Sequence, residues 1–221
     1  MFPEFDLPKV QGFSIDSRKV KPGDIFLPLK GDHTDGHRFI QQAEDAGAIL
    51  TFVEQPVKTS INTLQVNSTK KFLNDLISGY RKMLSYPFIG ITGSNGKTTT
   101  KDLLCQVLSA EMKIMHTQGN LNSTTGALLS LLEFEKNSDM AVIEMGANKP
   151  GEIEYICNVI QPNMGLITNI GETHLEHFVT KDEIAKTKSA LFTALPQHGT
   201  AFINLDDPYI TNMSVSCQKI A

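Results

Sequence analysis

Apolar and polar positions in this chain are grouped in blocks. From residue 88 onward, short apolar runs at 89–92, 140–146, 166–170 and 200–204 are separated by segments whose apolar residues recur three and four positions apart. The short runs read as strands buried on both faces. The separating segments, at 97–108, 127–132, 151–160 and 181–195, read as amphipathic helices. This alternation predicts a mostly parallel sheet covered by helices on both faces. On helix 97–108 the residues expected to face inward are Leu103, Leu104, Val107 and Leu108.

Residues 1–85 carry a different pattern. Pro22-Gly23 marks a tight turn before an apolar strand at 25–29. A polar loop at 30–37 and a short helix at 39–46 follow, with Gly47 placed to end the helix and a second strand at 48–53. A helix at 70–84 presents Phe72, Leu73, Leu76, Ile77, Tyr80 and Leu84 on one face, and Ser85-Tyr86-Pro87 stops it. The domain boundary is therefore expected after residue 85. A small N-terminal α/β domain would span 1–85 and a second α/β domain 86–221. Asp16-Ser17-Arg18 reads from spacing alone as a capped turn, and His33 and His37 as polar loop residues.

Composition narrows the class. The 221 residues include 40% hydrophobic side chains and no Trp, which suits a soluble α/β protein with a core of its own. A net charge of −4 gives no footprint for nucleic acid. Cys105, Cys157 and Cys217 are far apart and outside metal spacing, as expected of reduced thiols in the cytoplasm. No apolar run is long enough for a membrane span, and the N-terminus lacks a signal pattern.

The candidate chemistry centres on residues 89–100, Ile-Gly-Ile-Thr-Gly-Ser-Asn-Gly-Lys-Thr-Thr-Thr. A buried strand leads into a glycine-rich turn and then into a helix start, where backbone N–H groups and the helix dipole favour phosphate. Lys97 would reach the β- and γ-phosphates of a nucleoside triphosphate, and a following Thr hydroxyl would ligate Mg²⁺. The usual loop has glycine six residues before the lysine, where this chain has Ile91. Ligands of open parallel sheets sit at the carboxyl ends of the strands. Glu144, which ends an apolar strand there, is a candidate Mg²⁺ ligand. His174, in the 171–177 loop, is a candidate for metal or phosphate, at even odds with an ordinary loop residue. Lys186 and Lys188 share a helix with Ala185, Ala190, Leu191 and Phe192, and spacing alone leaves a solvated face open for both.

At these residues the chain resembles the ATP-dependent Mur ligases of peptidoglycan synthesis. The 92–100 loop resembles their phosphate loop, including the missing early glycine, a loop they share with folylpolyglutamate synthases. Three stretches resemble the branch that adds D-alanyl-D-alanine: 119–126, 144–153, and 185–192 following His174-Leu175-Glu176. Residues 16–18 and 22–26 match the family's first domain.

The resemblance implies ATP and Mg²⁺ as cofactors, with Gly93, Ser94, Asn95, Gly96, Lys97, Thr98 and Thr99 around the nucleotide. It implies Thr98, Glu144 and His174 at the metal ions. It also implies that Lys188 reacts with CO₂ to form a carbamate, an anionic ligand for a second Mg²⁺. Lys97, His174 and Lys188 would be catalytic. Ser17 and Arg18 would lie by a UDP-sugar, and Asn120, Asn122 and Asn148 would line the groove between nucleotide and sugar-peptide. The implied reaction joins D-alanyl-D-alanine to a UDP-N-acetylmuramoyl tripeptide through an acyl phosphate, in a monomeric cytoplasmic enzyme. Family members carry a third, C-terminal domain. The chain is accordingly expected to be a fragment, with that domain missing, and not to complete the ligation alone. The alternatives are a ligase adding a single amino acid, against which the 119–126 loop argues, and a non-catalytic nucleotide- or sugar-nucleotide-binding module. An unrelated P-loop kinase would leave the Glu144 and Lys188 stretches without a role.

Overall fold

The computed structural model describes residues 10–31, 34–119, 122–171 and 180–221. The chain forms an α/β structure in two compact units, Met1–Leu76 and Ile77–Ala221.

The first unit is built on a four-stranded parallel sheet in sequential order, β1 (Gly12–Ser14), β2 (Asp24–Phe26), β3 (Leu50–Val53) and β4 (Asn62–Gln65). Helix α1 (Ile40–Asp45) connects β2 to β3, and its Ile40 and Ala43 join Val20, Phe26, Ala48 and Val53 in one core. Gly47 follows α1 at φ +96, with Pro22 Cα only 2.9 Å from where a Cβ would sit. Only glycine turns the chain tightly enough there to start β3.

The expected boundary after residue 85 differs from the observed division, which falls inside helix α2 (Thr69–Arg81). The last turn of α2 belongs to the second unit because its polar tips are used there. Tyr80 Oη donates to Phe134 O (2.6 Å), and the Arg81 guanidinium donates to Ile160 O (2.5 Å) and Leu84 O (2.8 Å) while lying 3.7 Å over the Phe88 ring.

The second unit carries six parallel strands. They are β5 (Phe88–Thr92), β6 (Ile114–His116), β7 (Met140–Glu144), β8 (Met164–Ile167), β9 (Thr200–Phe202) and β10 (Gln218–Ile220), in the spatial order β10-β9-β8-β5-β7-β6. The connecting helices are α3 (Lys97–Leu108), α4 (Thr124–Ser130), α5 (Glu152–Ile160), α6 (Lys181–Thr193) and α7 (Pro208–Thr211). The chain leaves β5 toward β6 and later crosses to β8 on the other side. Right-handed crossovers then put helices on both faces and make β5 the point where the strand order reverses. Gly90 lets α6 press onto the sheet, since a Cβ there would meet Met145 Cε at 2.6 Å and Leu191 Cδ1 at 2.8 Å.

The inward face of α3 is not the expected one. Leu103 and Val107 are 60% and 71% exposed, whereas Lys101 and Cys105 are buried. Leu104 and Leu108 do pack against the core. Thr98 faces Glu144, and residues three and seven positions on share its stripe. Contacts at the start of the helix therefore set its rotation. Strands β1, β4, β6 and β10 and helix α7 have no counterpart in the apolar pattern.

Candidate functional site

The carboxyl ends of β5, β7 and β8 meet at the strand-order reversal. The loop after β5 begins at Gly93, at φ +150, where a Cβ would sit 1.9 Å from Thr168 Oγ1. Glycine is required because the segment after β8 presses directly on the loop. Ser94 N–H donates to Asn169 O (2.9 Å) and Asn95 N–H to Asn169 Oδ1 (3.0 Å). Asn95 O accepts from Thr168 Oγ1 (2.6 Å) and Asn169 Nδ2 (3.2 Å). Ser94 Oγ both donates to Gly171 O and accepts from Gly171 N–H. The first half of the loop is thus pinned to residues 168–171.

The second half is open. Gly96, at φ +76, is the N-cap of α3 and supplies no side-chain cap. The first helical bond is Thr100 N–H to Gly96 O, so the amides from Gly96 to Thr99 have no acceptor within the helix. Such a helix start is a ready anion site. Lys97 Nζ folds back onto Gly93 O (3.0 Å) and Ser94 O (3.2 Å). Burial lowers the Lys97 pKa and the Glu144 carboxylate opposes that shift. Thr99 is exposed.

Glu144, the last residue of β7, is fully buried. Its Oε1 accepts from Thr98 Oγ1 (2.9 Å) and Asn122 Nδ2 (2.7 Å), and its N–H donates to Thr117 Oγ1 (3.0 Å). Among the described residues its Oε2 has no hydrogen-bond partner, and Lys101 Nζ lies 3.9 Å away. Asn122 is held by its backbone as well, since its carbonyl accepts from Gly146 N–H (2.7 Å). A buried carboxylate oxygen left unsaturated beside a threonine hydroxyl fits Mg²⁺, which takes one or two protein oxygens and completes its shell with phosphate and water. No group of three or more His, Cys, Asp or Glu converges among the described residues, so a cation here would depend on its nucleotide for most ligands.

Helix α6 brings Lys188 to the same region. Lys186 is exposed, whereas Lys188 is 4% exposed. Burial, with help from the neighbouring Lys97 charge, pulls the Lys188 pKa down to about 8. Two lysines that close favour an anion between them.

His174 and Asn120 lie outside the described residues. Asn148 is exposed in the turn before α5, its N–H donating to Glu152 Oε2 (2.6 Å). In the first unit Ser17 is buried and donates to Gln42 Oε1 (2.9 Å). Arg18 is exposed and pairs in bidentate fashion with Asp16 (2.9 and 2.8 Å), which holds the Asp16 carboxyl down at about 2. Asp16 also caps the short helical turn Ser17–Lys19, as the spacing suggested. The sequence reading missed Lys101, Thr117, Thr168 and Asn169. Lys101 alone left a signal, one turn beyond Lys97 on the Thr98 stripe.

Known proteins share this arrangement. Residues 91–220 match the model of the Mur ligase middle domain, and residues 9–81 that of the Mur ligase family catalytic domain. The chain is 34% identical over 219 residues to the UDP-N-acetylmuramoyl-tripeptide–D-alanyl-D-alanine ligase of Bacillus subtilis, covering 98% of this chain and 48% of that protein. Among solved structures it is similar to MurF from Acinetobacter baumannii (TM-score 0.90, 35% identity, 96% of this chain and 48% of that one). It is also similar to MurF from Thermotoga maritima in complex with ADP (TM-score 0.85, 32% identity, 98% and 51%). The chain spans about half the length of the curated relatives it matches. With the phosphate-type loop at the reversal point, the clamped Glu144 and both domain models matched in order, the chain belongs to the Mur ligase family.

Proposed function

We propose that this chain supplies the nucleotide-binding and carboxylate-activating part of an ATP-dependent ligase that joins D-alanyl-D-alanine to a UDP-N-acetylmuramoyl tripeptide. The observation that carries this reading is the buried Glu144 carboxylate. It is clamped by Thr98 and Asn122 with one oxygen unsaturated, one turn from an uncapped helix start.

In this reading the amides from Gly96 to Thr99 and the Lys97 ammonium hold the β- and γ-phosphates, with Gly93, Ser94 and Asn95 shaping the loop. Thr98 and Glu144 would hold Mg²⁺, which supplies charge neutralisation on the transferring phosphoryl group. The carboxylate of the tripeptide attacks the γ-phosphorus and ADP leaves. The amine of D-alanyl-D-alanine then attacks the acyl carbon, and phosphate and a proton depart. The Lys97 ammonium would face the developing negative charge, a preorganised electrostatic contribution.

Lys188 is assigned to a carbamate. Its neutral amine can add to CO₂, forming an N–C bond and releasing one proton, and the carbamate becomes an anionic oxygen ligand. Burial next to Lys97 favours exchanging a second cation for an anion. His174 is assigned with it to a second metal ion. Ser17 and Arg18 are assigned to the UDP-sugar, and Asn120, Asn122 and Asn148 to the groove that receives the peptide.

The test is phosphate release from ATP by a ligase that contains these residues. Release should require both the UDP-N-acetylmuramoyl tripeptide and D-alanyl-D-alanine. Turnover with single amino acids in place of the dipeptide would move the chain to the amino-acid-adding branch. For Lys188, Lys188→Ala should abolish activity and a small carboxylic acid should restore part of it; full activity without rescue would sink the carbamate.

A further inference from the structure

Lys101 is the most deeply buried cation among the described residues, at 1% exposure. It lies on α3 one turn beyond Lys97, turned toward β7. Its ammonium donates to Thr117 O (2.9 Å) and Gly119 O (2.9 Å), with Asp102 Oδ1 at 3.2 Å and Glu144 Oε2 at 3.9 Å. An ammonium has three donors, so two carbonyls and the carboxylate side account for all of them.

One of these partners, Thr117, leads to the site. Thr117 accepts from the Glu144 N–H through its hydroxyl and donates its own N–H to Val142 O (3.2 Å). Gly119 stands at φ +52, a left-handed position that glycine adopts at no steric cost. Asn122 reaches Glu144 Oε1, the oxygen that Thr98 also contacts. Thr98 and Lys101, three residues apart on one stripe of α3, thus address the two oxygens of one carboxylate. A buried charge is expensive to desolvate, and an apolar side chain of similar length would fill the same space at lower cost. A cation is retained here where its contacts fix geometry that packing alone would leave loose.

We propose that Lys101 is a positioning residue. It locks Thr117 and Gly119 and, through the Thr117 hydroxyl, Glu144 onto the phosphate-binding helix, so that Thr98 and Glu144 meet a magnesium–triphosphate complex as one preformed unit. The proposal rests on the assignment of residues 93–98 to nucleotide phosphates. It separates two parts of nucleotide binding. The part made by the helix-start amides and Lys97 does not depend on Lys101. The increment added by Mg²⁺ does, because that increment requires Glu144 in register with Thr98.

The experiment measures ATP affinity of the 221-residue chain in excess Mg²⁺ and in EDTA, for wild type, Lys101→Met and Lys101→Arg. Partners that orient metal ligands typically contribute about 10- to 100-fold in metal affinity. Lys101→Met should lose about that factor in the magnesium-dependent increment, with affinity in EDTA unchanged. Lys101→Arg, which keeps a cation and several donors, should recover part of the increment. Hydrogen exchange at the Glu144 N–H, bonded to Thr117 Oγ1, should rise in Lys101→Met without nucleotide present. A magnesium increment that survives in Lys101→Met, or an equal fall in both conditions, would overturn the proposal in favour of a purely structural tie. If Lys101→Met does not fold, Thr117→Val, which removes the hydroxyl that accepts from the Glu144 N–H, serves instead. Loss of the increment there supports the proposal, and its retention overturns it. Failure of the wild-type chain to bind ATP in either condition would overturn the nucleotide assignment, and this inference with it; binding by wild type with no effect of the variants overturns this inference alone.

Discussion

Replacing Gly93 by alanine should unfold much of the second unit's stability without touching any charged group. A Cβ at this position would sit 1.9 Å from Thr168 Oγ1, 3.0 Å from Thr168 Cβ and 3.0 Å from Thr168 N, at a backbone φ of +150. That backbone region costs a non-glycine residue on the order of 1–3 kcal/mol. Forcing a methyl against packed atoms costs about 1–3 kcal/mol more. If Thr168 swings away, its hydroxyl gives up the 2.6 Å bond to Asn95 O, worth about 1 kcal/mol. The sum is about 3–7 kcal/mol, a large share of the roughly 5–15 kcal/mol that holds an ordinary domain together. Urea unfolding followed by circular dichroism reads the change directly. Gly93→Ala/Thr168→Ala removes the oxygen at 1.9 Å but leaves the backbone nitrogen at 3.0 Å, so it should recover about 1–2 kcal/mol of the loss. A Gly93→Ala protein within about 0.5 kcal/mol of wild type would refute the claim that residues 168–171 press on the loop.

Further predictions concern charge and caps. Lys188 is buried with its pKa lowered from 10.5 to about 8, a penalty of about 3 kcal/mol that is present in full below pH 8, where both folded and unfolded states hold the proton. As pH rises from about 8 to 10.5 the folded state releases that proton first, so stability rises. Lys188→Met should therefore be the more stable protein at pH 7, with the gap closing by pH 10.5 in urea melts; equal stability at both pH values would contradict this. Asp207 caps α7 through Tyr209 N–H (2.9 Å) and also accepts from the buried Ile170 N–H (2.6 Å), so Asp207→Ala should lower stability by about 2–3 kcal/mol in thermal melts. Arg81→Met strips donors from the Ile160 and Leu84 carbonyls and should lose about 3 kcal/mol, read as a lower melting temperature.

Much of this architecture was legible because buried parallel strands and their helices carry strong patterns. Helix 97–108 appears where the hydrophobic blocks place it, and the apolar runs at 89–92 and 140–146 carry β5 and β7, the second ending two residues early at Glu144. The strands left out, β1, β4, β6 and β10, are three or four residues long. Each lies at or near a sheet edge, and Asn62, Thr63 and Gln65 of β4 are exposed, so neither alternation nor a continuous apolar run marks them. The rotation of α3 was misjudged for a related reason. Leucine spacing pointed one face inward, yet Thr98 and Lys101 are turned to Glu144, and Leu103 and Val107 are left facing out. Within the site, Lys97, Thr98 and Glu144 were readable because the loop and the strand end are local patterns. The grip of Thr168 and Asn169 on Asn95 spans more than seventy residues of chain and has no local signature.

The central claim is that the open helix start at Gly96–Thr99, with Lys97, holds the phosphates of ATP beside a cation on Glu144. Calorimetric titration of magnesium–ATP into the wild-type chain and Lys97→Ala tests it most directly. The account predicts saturable one-to-one binding by wild type, weakened at least about tenfold when the charge-assisted contacts of Lys97 are removed. No binding by wild type, or equal affinity in a folded Lys97→Ala protein, would contradict it.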